Sequence, residues 1–183
     1  DEIKLMKKAA QLGDQAIREA SKRLREGNVK EVELAAVAEY TIRSNGGNIG
    51  SATILSSGIN TIKPTWRPSN KKIMPGEAVL MDVNPSLNCY CSDVSVTLFN
   101  AKVSKEKQKL LDISKEILHG VIKYIKPEMP AYTVYDYFLE KVEKIGYEKY
   151  FTPYANGFRA VGHGVGLDVV EWPNLDSKSN FIL

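Results

Sequence analysis

The stretch that decides the fold is residues 75–99, PGEAVLMDVNPSLNCYCSDVSVTLF. Pro75-Gly76 predicts a turn, and the apolar run at 78–83 predicts a strand. Residues 89–99 alternate between polar and apolar side chains, which predicts a second, longer strand, and residues 84–88 form the turn between the two. We therefore expect a β-hairpin at the centre of the fold.

Two carboxylates lie on this hairpin. Asp82 is within the apolar run, where a charge is costly unless it is paired or binds a cation. If the hairpin closes near residues 87 and 88, Asp93 faces Asp82 directly, with Cβ atoms about 4.5–5.5 Å apart. A divalent cation held by both carboxylates would remove their repulsion. The alternatives are a surface pair and a pair that shares one proton.

A histidine between glycines is the next candidate. His163 lies between Gly162 and Gly164, which we expect to leave its ring unobstructed and to let another backbone or a ligand approach closely. Imidazole together with carboxylates suits zinc, manganese, cobalt or iron better than calcium. The alternative is a hydrogen-bonded core histidine. His119, the other histidine, is predicted to face solvent from a helix.

Three weaker patterns favour ordinary explanations. The glycines at 162, 164 and 166 lack the spacing of a dinucleotide fingerprint. Cys89 and Cys91 are predicted to be free buried thiols, because no second pair completes a soft metal site. Trp66 and Trp172 flank proline-rich turns, where they either line a cleft or pack against the core.

The elements outside the hairpin suggest an architectural repeat. Two helices and three strands in the first half are followed by two helices and one strand. Taken literally, the second half lacks counterparts of the two hairpin strands. The remaining predicted elements are helices at 3–25, 32–43, 104–125 and 133–145, strands at 52–56 and 160–170, and a turn at Pro173 and Asn174. Thr133 is the expected N-cap of the last helix.

Composition narrows the class of protein. The chain has 183 residues, 43% hydrophobic, with 25 basic and 22 acidic side chains and two cysteines. The net charge is too small to indicate nucleic-acid binding, and no run of 18 apolar residues predicts a membrane span. Few cysteines and no recognisable signal peptide in residues 1–25 favour a reducing compartment, and we expect a cytoplasmic protein.

Three blocks, residues 75–82, 91–97 and 162–168, occur in the order typical of one family. Together they resemble the pita-bread metallopeptidase superfamily of Xaa-Pro dipeptidases, methionine aminopeptidases and creatinases, with the nearest likeness to the catalytic domain of Xaa-Pro dipeptidases. The resemblance covers nearly the whole chain. It implies an α+β fold of two pseudo-symmetric helix-helix-sheet halves in one catalytic-type domain, 1–183, divided at residue 100, with the second half incomplete.

The resemblance also implies a site for two divalent metal ions, Mn, Co, Zn or Fe. Of the family's five ligands, the two Asp fall on Asp82 and Asp93 and the His falls on His163. The two Glu ligands would lie on strands after Leu183, so we expect partial or no metal binding by this chain. In the family, the metals activate a bridging water that attacks the peptide carbonyl.

On the substrate side the chain departs from the family. Thr65 and Val170 stand where proline-specific members carry histidines, so no catalytic side chain is assigned. Valine can neither donate nor accept a proton. Thr65, the adjacent Trp66 and Val170 are predicted to contact substrate. Val96 stands where many dipeptidases have arginine.

The resemblance therefore implies a metal-dependent exopeptidase, a homodimer that hydrolyses the N-terminal peptide bond of short peptides. The alternative is a non-catalytic module of the same fold that binds a peptide or protein, because a fold does not fix a function. A plain structural domain with a buried Asp pair is a third possibility. It would leave the three sequence blocks unexplained.

Overall fold

The structure, a computed structural model, describes residues 1–63, 66–147 and 160–183. It divides into two compact units. Unit 1 comprises Asp1–Ser104 and Val165–Val169, and unit 2 comprises Lys105–Gly164 and Val170–Leu183. No helix within these described ranges is both long enough and apolar enough to cross a membrane.

Unit 1 opens with two packed helices, α1 (Glu2–Glu26) and α2 (Glu31–Ser44). Both were predicted from helical spacing of apolar residues, and both are confirmed within two residues at each end. The chain leaves α1 at Gly27, whose φ of 74° is the left-handed conformation that glycine adopts without strain. The buried stripe of α1 consists of Ala9, Leu12, Gly13, Ala16, Ala20 and Leu24.

The strands of unit 1 form two three-stranded antiparallel sheets, in the orders β1-β4-β5 and β2-β3-β6. Side chains of β3 alternate, so Val79, Met81 and Val83 enter the core with α1 and α2 while Asp82 lies on the other face. The strands are β1 (Asn48–Ile49), β2 (Ile54–Ser57), β3 (Ala78–Val83), β4 (Pro85–Leu87), β5 (Tyr90–Cys91) and β6 (Val94–Phe99), and a 3₁₀ helix (Gly58–Ile62) follows β2.

The prediction of one long strand at 89–99 is wrong, as is that of a simple turn at 84–88. The turn region contains β4, which pairs with β5 through a two-residue hairpin at Asn88 and Cys89, both with positive φ. The chain then changes sheets at Ser92 and Asp93 to pair with β3. Polar and apolar residues alternate in the same way before and after this change of sheets, so the sequence pattern does not reveal the change.

Unit 2 contains α3 (Lys105–Tyr124), α4 (Ala131–Lys144), β7 (Ala160–Gly164) and β8 (Glu171–Asp176), with β7 and β8 antiparallel. The two helices are confirmed. Thr133 was predicted as the N-cap of α4, but the helix begins two residues earlier and the Thr133 hydroxyl donates to the carbonyl of Pro130.

Two predictions for the end of the chain are wrong. The strand predicted at 160–170 ends at Gly164. After it the chain folds into a tight turn, in which Gly166 N–H donates to the carbonyl of Asp168. Pro173 and Asn174 were predicted to form a turn, but both lie within β8.

Apolar side chains of unit 2 remain uncovered by its described residues. Within α3 only Val121 is buried, while Leu110, Leu118 and Ile122 are exposed. An apolar cavity of about 330 Å³ lies along α3 and α4. His119, also on α3, is exposed as predicted.

Candidate metal site

The two aspartates approach each other, but not in the predicted register. Asp82 in β3 stands opposite Ser95 of β6, so the pairing is displaced by two residues from the expected Asp82–Asp93 opposition. A displacement by two keeps the same side chains on the same face of a sheet. Asp93, immediately before β6, becomes a diagonal neighbour and still interacts with Asp82 through charge and hydrogen bonding.

The surroundings of Asp82 disfavour its negative charge. Burial, followed by the neighbouring charge of Asp93, raises the pKa of Asp82 from 3.8 to about 6, and the polar side chains of Asn84 and Ser95 offset part of this. Asp82 Oδ1 and Asn84 Oδ1 are buried and have no hydrogen-bond partner within the described part of the chain. Buried polar atoms without a partner are uncommon, and one explanation for them is an ion bound at the site.

This pair fits a divalent cation in its chemistry. Two carboxylates bring oxygen donors to one place, and the unpartnered Oδ1 of Asp82 has a lone pair available for an ion. Among residues 1–63, 66–147 and 160–183, no group of three or more His, Cys, Asp or Glu side chains is arranged to hold a metal. The described residues of unit 1 therefore supply part of a ligand set.

His163 lies on β7 in unit 2, half-buried and paired in register with Asn174. Its Nδ1 is 2.8 Å from the carbonyl oxygen of Gly164. A carbonyl can only accept, so Nδ1 carries the proton and Nε2 of the neutral ring carries the lone pair. This is the tautomer that a metal-binding histidine uses when its other nitrogen is held by the backbone.

The glycines beside His163 let a neighbouring strand approach closely, as expected. A Cβ at Gly162 would lie 2.9 Å from Leu175 Cδ1, and a Cβ at Gly164 would lie 2.5 Å from the carbonyl oxygen of Trp172. Both glycines therefore make room for the neighbouring strand β8.

The segment that follows β7 is attached to unit 1. Cys91 N–H donates to the carbonyl of Gly166 at 2.7 Å, and Cys91 Sγ lies 3.3 Å from the carbonyl oxygen of Leu167. Cys91 is a buried thiol outside any disulfide among the described residues, as predicted, while Cys89, predicted to be buried, is exposed in the hairpin turn.

The predicted substrate residues lie in different parts of the chain. Thr65 lies outside the described residues. Trp66, in unit 1, is half-buried, and the Nζ of Lys63 is 4.5 Å from the centre of its ring. Val170, in unit 2, is 59% exposed.

Two residues near these positions were missed from sequence. Asn84 shares the strand parity of Asp82, so extending the alternation by two residues could have found it. Glu31 is completely buried at the start of α2 and contacts the Ser57–Asn60 segment. Nothing in its local sequence distinguishes it from an exposed carboxylate in the first turn of a helix.

Known proteins resemble this chain over its whole length. It is 29% identical to the Xaa-Pro dipeptidase of Pyrococcus furiosus and 30% identical to that of Pyrococcus horikoshii, covering 51% and 50% of those proteins. The crystal structure of the prolidase from Pyrococcus horikoshii OT3 superimposes with a TM-score of 0.91 at 28% identity. That of the X-Pro aminopeptidase from Thermotoga maritima MSB8 gives 0.91 at 26%.

Each of these two structures matches 100% of the chain, and the chain covers 51% and 50% of them. The chain thus spans about half the length of the curated relatives it matches. The likeness confirms the predicted α+β pita-bread fold. The sequence model of metallopeptidase family M24 matches residues 4–183. The chain therefore belongs to metallopeptidase family M24.

Proposed function

We propose that the protein is a metal-dependent exopeptidase of the Xaa-Pro dipeptidase type, which hydrolyses the N-terminal peptide bond of short peptides. The observation that carries the proposal is the interaction of Asp82 with Asp93, in a chain of a metallopeptidase family. The buried Oδ1 of Asp82 has no hydrogen-bond partner among the described residues. A carboxylate whose charge is disfavoured in the metal-free protein is suited to bind a cation.

Asp82, Asp93 and His163 are the residues that would hold metal. A divalent ion such as Mn²⁺, Co²⁺, Zn²⁺ or Fe²⁺ supplies a water of lowered pKa and a Lewis acid for the peptide carbonyl. Asp82 is fixed in orientation by its place within strand β3, and the Nδ1–H of His163 is held by a carbonyl that directs the lone pair to Nε2. A complete site for two ions needs ligands besides these three, so we expect this chain alone to hold a partial site or none.

The other parts of the proposal come from the family. We place Thr65, Trp66 and Val170 on the substrate side, and we expect the two units to act as one catalytic-type domain, 1–183. A homodimer and a cytoplasmic location are further expectations. Sedimentation of the purified protein and fractionation of the native cells test them.

Removal of one aspartate tests the function. In the protein at its full natural length, supplied with Mn²⁺ or Co²⁺, Asp93→Asn should lower hydrolysis of an Xaa-Pro dipeptide by more than about 100-fold, beyond the 10- to 100-fold typical of outer-shell partners. Asp14→Asn, an exposed aspartate on α1, is the matched control and should keep full activity. Unchanged turnover in Asp93→Asn would contradict the proposal.

A second candidate is a non-catalytic module that binds peptide or protein. It is favoured by Val170, an exposed apolar side chain that cannot transfer a proton where proline-specific members carry histidine. The two functions differ in their response to a chelator. Peptide binding that persists in EDTA without hydrolysis supports the module, whereas hydrolysis abolished by EDTA supports the peptidase.

A further inference from the structure

Glu31 is a charged residue that the proposed metal chemistry leaves unused. It is the first residue of α2, and its side chain is 0% exposed. Among the residues that the structure describes, it is the one carboxylate in the buried class. A buried charge is costly unless donors surround it, so its donors indicate what it holds in place.

Three residues donate to the two oxygens of Glu31. Ser57 donates to Oε1 from its backbone N–H at 2.7 Å and its hydroxyl at 2.8 Å. Ser69 donates to Oε2 from its N–H at 3.1 Å and its hydroxyl at 2.6 Å. Asn60 Nδ2 lies 3.1 Å from Oε1 and 3.3 Å from Oε2. Burial raises the pKa of Glu31, but these hydrogen bonds outweigh it and hold the pKa below its ordinary value.

These donors belong to the two ends of one segment. Ser57 is the last residue of β2, Asn60 lies in the 3₁₀ helix, and Ser69 lies further along the chain. The backbone of the same helix end adds to this, because Val32 N–H donates to the carbonyl of Ser69 at 3.1 Å. One carboxylate therefore fixes both ends of the segment to the start of α2.

A second set of contacts restricts the segment further. Lys71 Nζ donates to the hydroxyl of Ser57 at 3.0 Å and forms an ion pair with Glu77. Gly58 has a φ of 54°, and a Cβ there would collide with the carboxylate of Glu77. Ser57, where the chain enters the 3₁₀ helix, is thus held by the charged side chains of Glu31 and Lys71, and the next position favours glycine.

The described exposed side chains of the segment are apolar or basic, the basic ones being Lys63 and Arg67. Ile59 and Ile62 are exposed, and Trp66 is half-buried under the Nζ of Lys63. The segment continues directly from β2, whose partner in the sheet is β3, the strand that carries Asp82. Aromatic and apolar side chains beside the strand of the proposed metal site are suited to contact the side chains of a short peptide.

We propose that Glu31 is a positioning residue, whose carboxylate fixes residues 57–63 and 66–69 as a rim that contacts the peptide substrate. This rests on the proposed function, because the rim affects turnover only if a peptide is bound. Glu31 touches no substrate itself and acts through Ser57, Asn60 and Ser69.

Kinetics of Glu31→Gln in the metal-loaded, full-length protein test the proposal. The variant keeps the shape of the side chain and removes its charge and one acceptor. With the dipeptide Ala-Pro, KM should rise about tenfold, the effect of losing roughly one charge-assisted hydrogen bond, while kcat stays within about threefold. Glu33→Gln is the matched control, because Glu33 is an exposed carboxylate of the same turn that accepts a backbone N–H from Lys30. It should leave KM unchanged.

Hydrogen exchange of the same proteins reports the rim directly. Amides at 57–63 and 66–69 should exchange about tenfold faster in Glu31→Gln than in the parent or in Glu33→Gln. If Glu31→Gln does not fold, Ser69→Ala removes one hydroxyl donor and leaves the charge in place. Ser69→Ala should raise KM and speed amide exchange in the same way, but by a smaller factor.

The outcomes separate the two proposals. Faster exchange with unchanged KM, or a loss of kcat alone, would overturn the role of Glu31. A parent protein that hydrolyses no peptide would instead refute the proposed function. Calorimetry with Ala-Pro then decides the role of Glu31: weaker binding by Glu31→Gln supports it, and equal binding overturns it.

Discussion

The helix pair of unit 1 and the helix pair of unit 2 are both amphipathic, but their apolar faces are covered differently. α1 packs against β3, β4, β5 and β6, and α2 packs against β1 and β2. In unit 2, α4 packs against β7 and β8, while α3 packs against α4 and keeps exposed apolar side chains. The same kind of helix is therefore a core element in one unit and a surface element in the other.

This difference shows that helical periodicity marks which face can be buried, not whether it is buried. α3 has an apolar stripe predicted as clearly as that of α1, yet only Val121 on it is buried within the described residues. The stability of a helix in a protein comes mainly from packing of that stripe. Substitutions of one chemistry should therefore have unequal effects in the two units.

The largest difference is expected for leucine truncation. Leu34→Ala on α2, at 0% exposure, should lower the free energy of unfolding by about 2–5 kcal/mol. Leu118→Ala on α3, at 56% exposure, should cost less than about 1 kcal/mol. Urea denaturation of both variants measures this, and equal losses would mean that α3 is as well covered as α2.

Glycine substitution should separate the units by a smaller amount. Gly58→Ala in unit 1 meets both a positive φ and the ion-paired Glu77 side chain, so it should cost about 2–4 kcal/mol. Gly146→Ala in unit 2 has a φ of 69°, and no described residue lies within 4 Å of the new methyl, so we expect only the backbone cost of about 1–2 kcal/mol. The difference in urea midpoint tests this, and a larger loss for Gly146→Ala would contradict it.

Removing the unfavourable charge in unit 1 should stabilise the metal-free protein. The pKa of Asp82 is about 6 in the folded state against 3.8 ordinarily, so the folded state binds the proton more tightly. The free energy of unfolding therefore falls as pH rises from 3.8 to about 6.

Asp82→Asn should abolish this fall and raise the free energy of unfolding by about 1 kcal/mol at pH 7, less than the full rise in pKa implies, because solvent screens the partly buried group. The gain should be smaller at pH 5. Denaturation in EDTA at both pH values, with Asp14→Asn as control, measures it. A loss of stability at pH 7 would contradict the assignment.

The smallest effect is expected on the exposed side of α4. Glu140 and Lys144 form an ion pair one turn apart, and hydrogen bonding to Lys144 lowers the pKa of Glu140. Both side chains are exposed, so Glu140→Gln should leave the unfolding midpoint unchanged with or without added salt. A clear, salt-sensitive loss would show that this face of unit 2 is stabilised by charge.

The elements with long, regular patterns were predicted from sequence. α1, α2 and β3 were found within two residues, because one face of each meets the same core over several turns or residues. β4 was missed because its Pro85 and Ser86 have turn-like composition. The change of sheets at Ser92 and Asp93 was missed because the alternation of polar and apolar residues does not depend on which strand is the pairing partner.

The site was predicted less evenly. The approach of Asp82 and Asp93 tolerated an error of two residues in register, since an even displacement keeps the face. Glu31 could not be found in this way. Its partners Ser57 and Ser69 lie 26 and 38 residues away, and a contact at that distance depends on the tertiary fold.

The attachment of Val165–Val169 to unit 1 has a consequence for synthesis of the protein. Cys91 N–H finds its partner, the carbonyl of Gly166, only after all of Lys105–Gly164 has been translated. At translation rates of about 5–20 residues per second, this leaves a delay on the order of several seconds. During that time the nascent first unit keeps the outer edge of β5 unpaired, and an open strand edge can pair with another chain.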